Sequence, residues 1–129
     1  MSRPLKIQIV EMARALIADE QHWCRRHLGE DVNGVSVSPT SASAVKRCGL
    51  GAAIAAAYQL THDLDLADRL GYEALRPRYG PATVIHVNDV RGHAAVLALF
   101  DEVIAAGTQL TPSRGSQLSW ECSLCSRSV

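Results

Sequence analysis

A surplus of either charge is missing, since thirteen Lys and Arg balance thirteen Asp and Glu over 129 residues. The broad field that draws a protein to nucleic acid or to an anionic membrane is therefore absent, and only local basic pairs such as Lys46 and Arg47 remain. Long apolar runs are missing as well. The longest, GLGAAIAAAYQL over 49–60, falls short of the roughly 20 residues that cross a bilayer. The opening MSRPLKIQIVEMARALIADE alternates charged and apolar residues as a helix does and lacks the pattern of a secretory leader, so a soluble cytoplasmic protein is expected. Cysteine is scarce. Cys24, Cys48, Cys122 and Cys125 are too few for a disulfide framework in a chain of this size, and they read as thiols or metal ligands. Internal repeats, Gly-rich phosphate loops and the H-E-x-x-H and G-x-S-x-G patterns are also absent, so no motif names a reaction.

What is present is helical periodicity in a chain long enough for one core. Leu5, Ile9, Met12 and Leu16 share one helical face, which predicts a first helix over 5–26 that Gly29 closes. Asn33-Gly34 between Val32 and Val35 predicts a type I′ hairpin and a small two-stranded ribbon. A second helix follows Pro39, with Thr40, Ser41 or Ser43 as its cap, and it is apolar or small on every side from Cys48 to Tyr58. That uniformity places it at the centre. Gly49 and Gly51 each cost about 1 kcal/mol there relative to Ala, a penalty that close approach of another backbone would offset. Leu64, Ala67, Leu70, Ala74 and Leu75 mark a third helix over 63–76, and RPRYGP breaks the chain after it. ATVIHV reads as a short extended segment or a buried loop. The last helix is expected to be capped by Asn88 or Asp89 and closed by Gly107, with His93, Val96, Leu97, Phe100, Val103 and Ile104 facing inward. The expected fold is thus mainly α: one domain over 1–107 of about four helices, a small β-hairpin between the first two, and a flexible or docked tail over 108–129 in which Leu118, Trp120 and Leu124 are the residues able to dock.

Taken in order, Trp23, Asn33-Gly34, Pro39, CGLGA from Cys48 to Ala52, and Asn88-Asp89 resemble the pattern of a family of small bacterial and phage proteins known only as a domain of unknown function. The resemblance spans about residues 7–107. One departure is that Val87 stands where the family pattern has an aromatic, with His86 one place earlier. The resemblance implies a single helical domain with a hairpin insertion and concentrates interest on Trp23, Cys48, Asn88 and Asp89. It implies a phage-associated accessory role and lends no reaction.

Three chemistries are open to these residues. As a binding module, the chain would contact a protein partner or a small ligand near the start of the last helix, through Trp23, His86, Asn88, Asp89 and His93. As a cysteine-dependent hydrolase or transferase, it would use Cys24 or Cys48 as nucleophile, His86 or His93 as base, and Asn88 or Asp89 to orient the imidazole. As a zinc protein, CRRH and CSLC would supply Cys24, His27, Cys122 and Cys125 as a Cys3His set. Against each stands an ordinary reading: Asn88 or Asp89 as a helix cap, Cys48 as a small core residue, and Trp23 as a core aromatic whose indole N–H finds an oxygen. The expectation is a binding or accessory protein with no cofactor other than zinc. Capping explains neither His86 nor His93, so a functional reading of this stretch rests on them.

Overall fold

The computed structural model describes residues 3–109. Within them the chain forms α1 (Leu5–Ile17), a short two-stranded sheet of β1 (Gly29–Glu30) and β2 (Lys46–Arg47), then α2 (Gly49–Thr61), α3 (Leu64–Glu73), α4 (Pro81–His86) and α5 (His93–Gln109). The fold is mainly α with a small antiparallel hairpin between the first two helices, in the pairing Gly29 with Arg47 and Glu30 with Lys46. No helix among the described residues is long and apolar enough to cross a membrane.

α2 is the axis of the molecule. Every residue from Gly49 to Ala57 is buried, so α1, α3 and the later helices must surround it. Small residues make this possible. A Cβ on Gly51 would collide with the Leu28 carbonyl oxygen, and one on Gly71 of α3 would lie 2.7 Å from the Ile54 Cα, so backbone and helix meet here without intervening side chains. Around this axis Ile9, Val10 and Ile17 of α1, Val84 of α4, and Val96 and Phe100 of α5 are almost wholly excluded from solvent. Arg14 of α1 and Asp101 of α5 pair at the surface where these two helices meet.

The expected centrality of α2 and the inward face of α5 hold; several boundaries do not. α1 ends at Ile17, and the chain continues through a 3-10 turn, Glu20–His22, in which the Asp19 side chain accepts from the Gln21 N–H. Gly29 closes no helix but begins β1, where Val37 O and Pro39 crowd it. The ribbon turn is a three-residue loop rather than type I′. Gly34 alone has positive φ, at 80°, Gly34 N–H donates to Asp31 O at 3.0 Å, and the Asp31 carboxylate accepts from the N–H groups of Asn33 and Val35. Thr40, Ser41 and Ser43 belong to turns before β2, and α2 is capped by Cys48. ATVIHV is helical, since Pro81 at the first turn has the φ that starts a helix and needs no N–H partner there. α3 spans Leu64–Glu73, inside the expected 63–76. Gly107 does not close α5, which continues to Gln109 and seats Gly107 against the Ile7 side chain. Leu118, Trp120, Cys122, Leu124 and Cys125 lie outside the described residues.

Candidate functional site

Asn88 and Asp89 do not cap α5. The chain leaves α4 through a π-helical turn, Val87–Arg91, closed by Gly92 N–H donating to Val87 O at 3.1 Å. Gly92, at φ 101°, then breaks the helix and its carbonyl accepts the first bond of α5, from Val96 N–H. Because α4 and the π turn follow one another without interruption, Val84 and Asn88 fall four residues apart on the same inward face.

Asn88 is completely buried, yet every hydrogen-bonding position of its amide is filled. Its Oδ1 accepts from Trp23 Nε1–H at 2.7 Å and from Gly49 N–H at 2.9 Å; its Nδ2 donates to Cys24 O at 3.1 Å and to Asp89 Oδ1 at 3.0 Å. The amide orientation follows from these partners, since exchanging O and N would aim an NH2 group at two N–H donors. Asn88 thus does cap a helix, but the helix is α2: Gly49 is the first residue of α2, and its N–H has no intrahelical acceptor. The second cap is the Cys48 sulfur, which accepts from Gly51 N–H at 3.3 Å. One side chain therefore ties together α2, the π turn and the segment carrying Trp23.

Asp89 extends this clamp to the surface. Its Oδ1 accepts from Arg26 N–H at 2.9 Å and holds Arg26 at φ 70°, a left-handed conformation unusual for a residue with a side chain. Trp23, itself buried, packs its ring 5.3 Å from that of His93 and carries the Arg25 guanidinium 5.0 Å over its face. The Arg25 guanidinium also lies 3.2 Å from where a Cβ of Gly92 would be, so it covers the break between the π turn and α5. His93, half-buried, makes a 2.6 Å bond from Nε2 to Ile17 O, joining the start of α5 to the end of α1. His86 is exposed and stands apart from these bonds.

Neither cysteine meets a histidine ring. Cys24 Sγ–H donates to His27 O at 3.3 Å, and Cys48 Sγ is engaged by Gly51 N–H, so the nucleophile and base of a cysteine hydrolase are not brought together among the described residues. Burial pushes the Cys24 thiol up to about 12, with the carboxylate of Glu30 and the Cys48 sulfur adding to the shift, and burial raises Cys48 in the same direction. Both are held as thiols at neutral pH, whereas nucleophilic attack requires the thiolate. Of the four zinc candidates, Cys122 and Cys125 lie outside the described residues; His27 pairs through Nδ1 with Glu30 at 2.8 Å. No group of three or more His, Cys, Asp or Glu side chains is placed to hold a metal ion among the described residues.

A family model covers residues 1–106 and is described as a family of unknown function, DUF6197. The chain belongs to the DUF6197 family. No curated protein and no solved structure matches it. The span matched to DUF6197 contains every residue of the Asn88 clamp, both described cysteines and the arginines around them. Sequence reasoning singled out Trp23 and Asn88 separately and missed that they are bonded to each other. Arg25, Val90 and Arg91, all exposed, are not among the residues it singled out. The available signal was the spacing of Val84 and Asn88, which puts a polar residue on an otherwise apolar helical face.

Proposed function

We propose that this DUF6197 chain is a partner-binding module whose contact face is formed by residues 22–26 and 85–91, and that its partner is a protein segment with acidic and apolar side chains. The observation that carries this reading is Val90. It is 67 % exposed, and it projects from a π-helical turn in which Asn88 is fixed by four hydrogen bonds, three to two other segments of the chain and one to Asp89 beside it. A π turn is a rare departure from regular helical bonding and is frequent at functional sites. Ile85, 40 % exposed, adds a second apolar group on the same helical segment.

The surrounding charge fits the same partner. Arg25, Arg26 and Arg91 are exposed, and none of them forms an ion pair among the described residues. Exposed, unpaired guanidinium groups around a rigid apolar projection supply orientation and on-rate for an acidic partner, while the apolar centre supplies contact area. Preorganisation by the clamp reduces the ordering cost of binding.

A photo-crosslinking side chain at position 90, compared with one at the exposed position 32 on the hairpin tip, tests this in cells. A discrete crosslinked species is expected at 90 and not at 32, and it should disappear when Arg25→Glu and Arg91→Glu are introduced. Identical patterns at the two positions would remove the basis for the proposal.

A further inference from the structure

We propose that Cys24 and Cys48 form a reversible dithiol–disulfide couple across the junction between the Trp23 segment and the start of α2. The placement comes from backbone pairing. Trp23 and Arg47 are partners in a parallel bridge, and Cys24 N–H donates to Arg47 O at 3.1 Å. The bridge is isolated, but the Cys24 N–H bonds to the carbonyl of the peptide that joins Arg47 to Cys48, which brings the two cysteines to neighbouring positions on the two segments. Cys24 follows Trp23, and Cys48 follows Arg47. Such adjacency is what a disulfide requires, since it forms over a Cα separation of roughly 4.4–6.8 Å.

The side chains agree with this placement. Both are buried, at 6 % and 4 % exposure, and the charge of one sulfur is felt by the other, since each additional thiolate here would repel its neighbour. The sulfurs are engaged by long local bonds, Cys24 to His27 O and Cys48 from Gly51 N–H, both 3.3 Å, with the Leu50 N–H also directed at Cys48. None of these bonds is strong enough to prevent rotation of a thiol toward its neighbour. Pairing would also leave intact the Asn88 clamp, which joins the same two segments through Cys24 O and Gly49 N–H.

The oxidant is a low-molecular-weight disulfide. The thiolate fraction of one cysteine, so small that the exchange is slow but growing as pH rises above neutral, attacks a sulfur of that disulfide, breaking its S–S bond and releasing one small thiol with a mixed disulfide left on the protein. The second cysteine sulfur then displaces the other small thiol and closes the Cys24–Cys48 bond. In sum two protein thiols lose two hydrogens and two electrons, and one small disulfide becomes two thiols. A monothiol pool reverses the exchange. The bond closes the loop that carries β1, the three-residue turn and β2, and so restricts the unfolded chain. This couple does not depend on the partner-binding reading.

The full chain carrying Cys122→Ser and Cys125→Ser, incubated under native conditions with oxidised glutathione at mildly alkaline pH until no further change, tests the inference. The expected product is lighter by about 2 Da, yields a proteolytic fragment pair joined through Cys24 and Cys48, and melts about 10 °C higher than the reduced protein, reversibly with dithiothreitol. Adding either Cys24→Ala or Cys48→Ala should abolish the joined fragments. A stable glutathione adduct on one cysteine, or thiols that remain unmodified until urea is added, would overturn it.

Discussion

At the scale of single residues, Asn88 concentrates the most consequence in the least surface. Removing its amide strands the Trp23 indole N–H, the Gly49 N–H and the Cys24 carbonyl in an interior that water does not reach. Asn88→Ala is expected to lower stability by about 3 kcal/mol, read as a fall in the urea midpoint, whereas Trp23→Phe, which leaves Asn88 Oδ1 still bonded to Gly49, should cost about 1 kcal/mol. Double substitution should cost less than the sum, because both changes remove the same bond. The thiols carry a second prediction. Folded Cys24 holds its proton up to about pH 12, whereas the ordinary thiol value is 9.0. Between those values the unfolded state binds fewer protons than the folded one, so the stabilising contribution is complete below about pH 8 and is lost as pH rises toward 12. Urea midpoints measured at about pH 8 and about pH 10 should fall, and fall less in Cys24→Ala. Sequence reasoning reached both residues but not their roles, because a buried Asn and a capping Asn look alike until their partners are located.

Among the secondary-structure elements, the α2–α3 contact has the smallest tolerance. Gly71 meets the backbone of Ile54 with no space for a methyl group. Gly71→Ala should therefore destabilise by about 2 kcal/mol despite the gain of about 1 kcal/mol that Ala gives an unconstrained helix, and the melting temperature should drop accordingly. Helix periodicity was legible at this scale. The uniform apolarity of α2 marked it as central, and the spacing of Val96, Phe100 and Val103 identified the buried face of α5. Boundaries were less legible. ATVIHV is rich in β-branched residues and still forms α4, since Pro81 preorganises the first turn and Val84 finds the core; local propensity of a few tenths of a kcal/mol per residue yields to that burial. The first helix was expected to run to Arg26, yet α1 stops at Ile17, and Arg26 stands in the left-handed region with its N–H bonded to the Asp89 carboxylate.

Over the whole molecule, the contact face proposed from Arg25, Arg26, Val90 and Arg91 draws on segments more than sixty residues apart, which the bonds from Trp23 and Arg26 to Asn88 and Asp89 join. Its side chains are exposed, so Arg25→Glu with Arg91→Glu should keep the unfolding midpoint within about 1 kcal/mol of the parent, including loss of the contact between Arg25 and Trp23, while removing the crosslink at position 90. A large fall in stability would show instead that these arginines belong to the fold. His86 and His93, the residues on which a functional reading of VIHVNDVRGH first rested, divide: His93 joins α5 to the carbonyl of Ile17, and His86 stands exposed at the end of α4.

The sequence by itself determined the helical class, the central position of α2 and the inward stripe of α5, because apolar periodicity and helix propensity act over neighbouring turns of one segment. Tertiary structure alone decided that Asn88 caps α2 rather than α5, that Trp23 bonds to it, and that the Cys24 N–H bonds to Arg47 O, the residue before Cys48. Each of these depends on partners distant in the chain. A hydrogen bond or a thiol pair requires a particular donor and acceptor to meet within about 3–4 Å, and only the packed backbone brings them there.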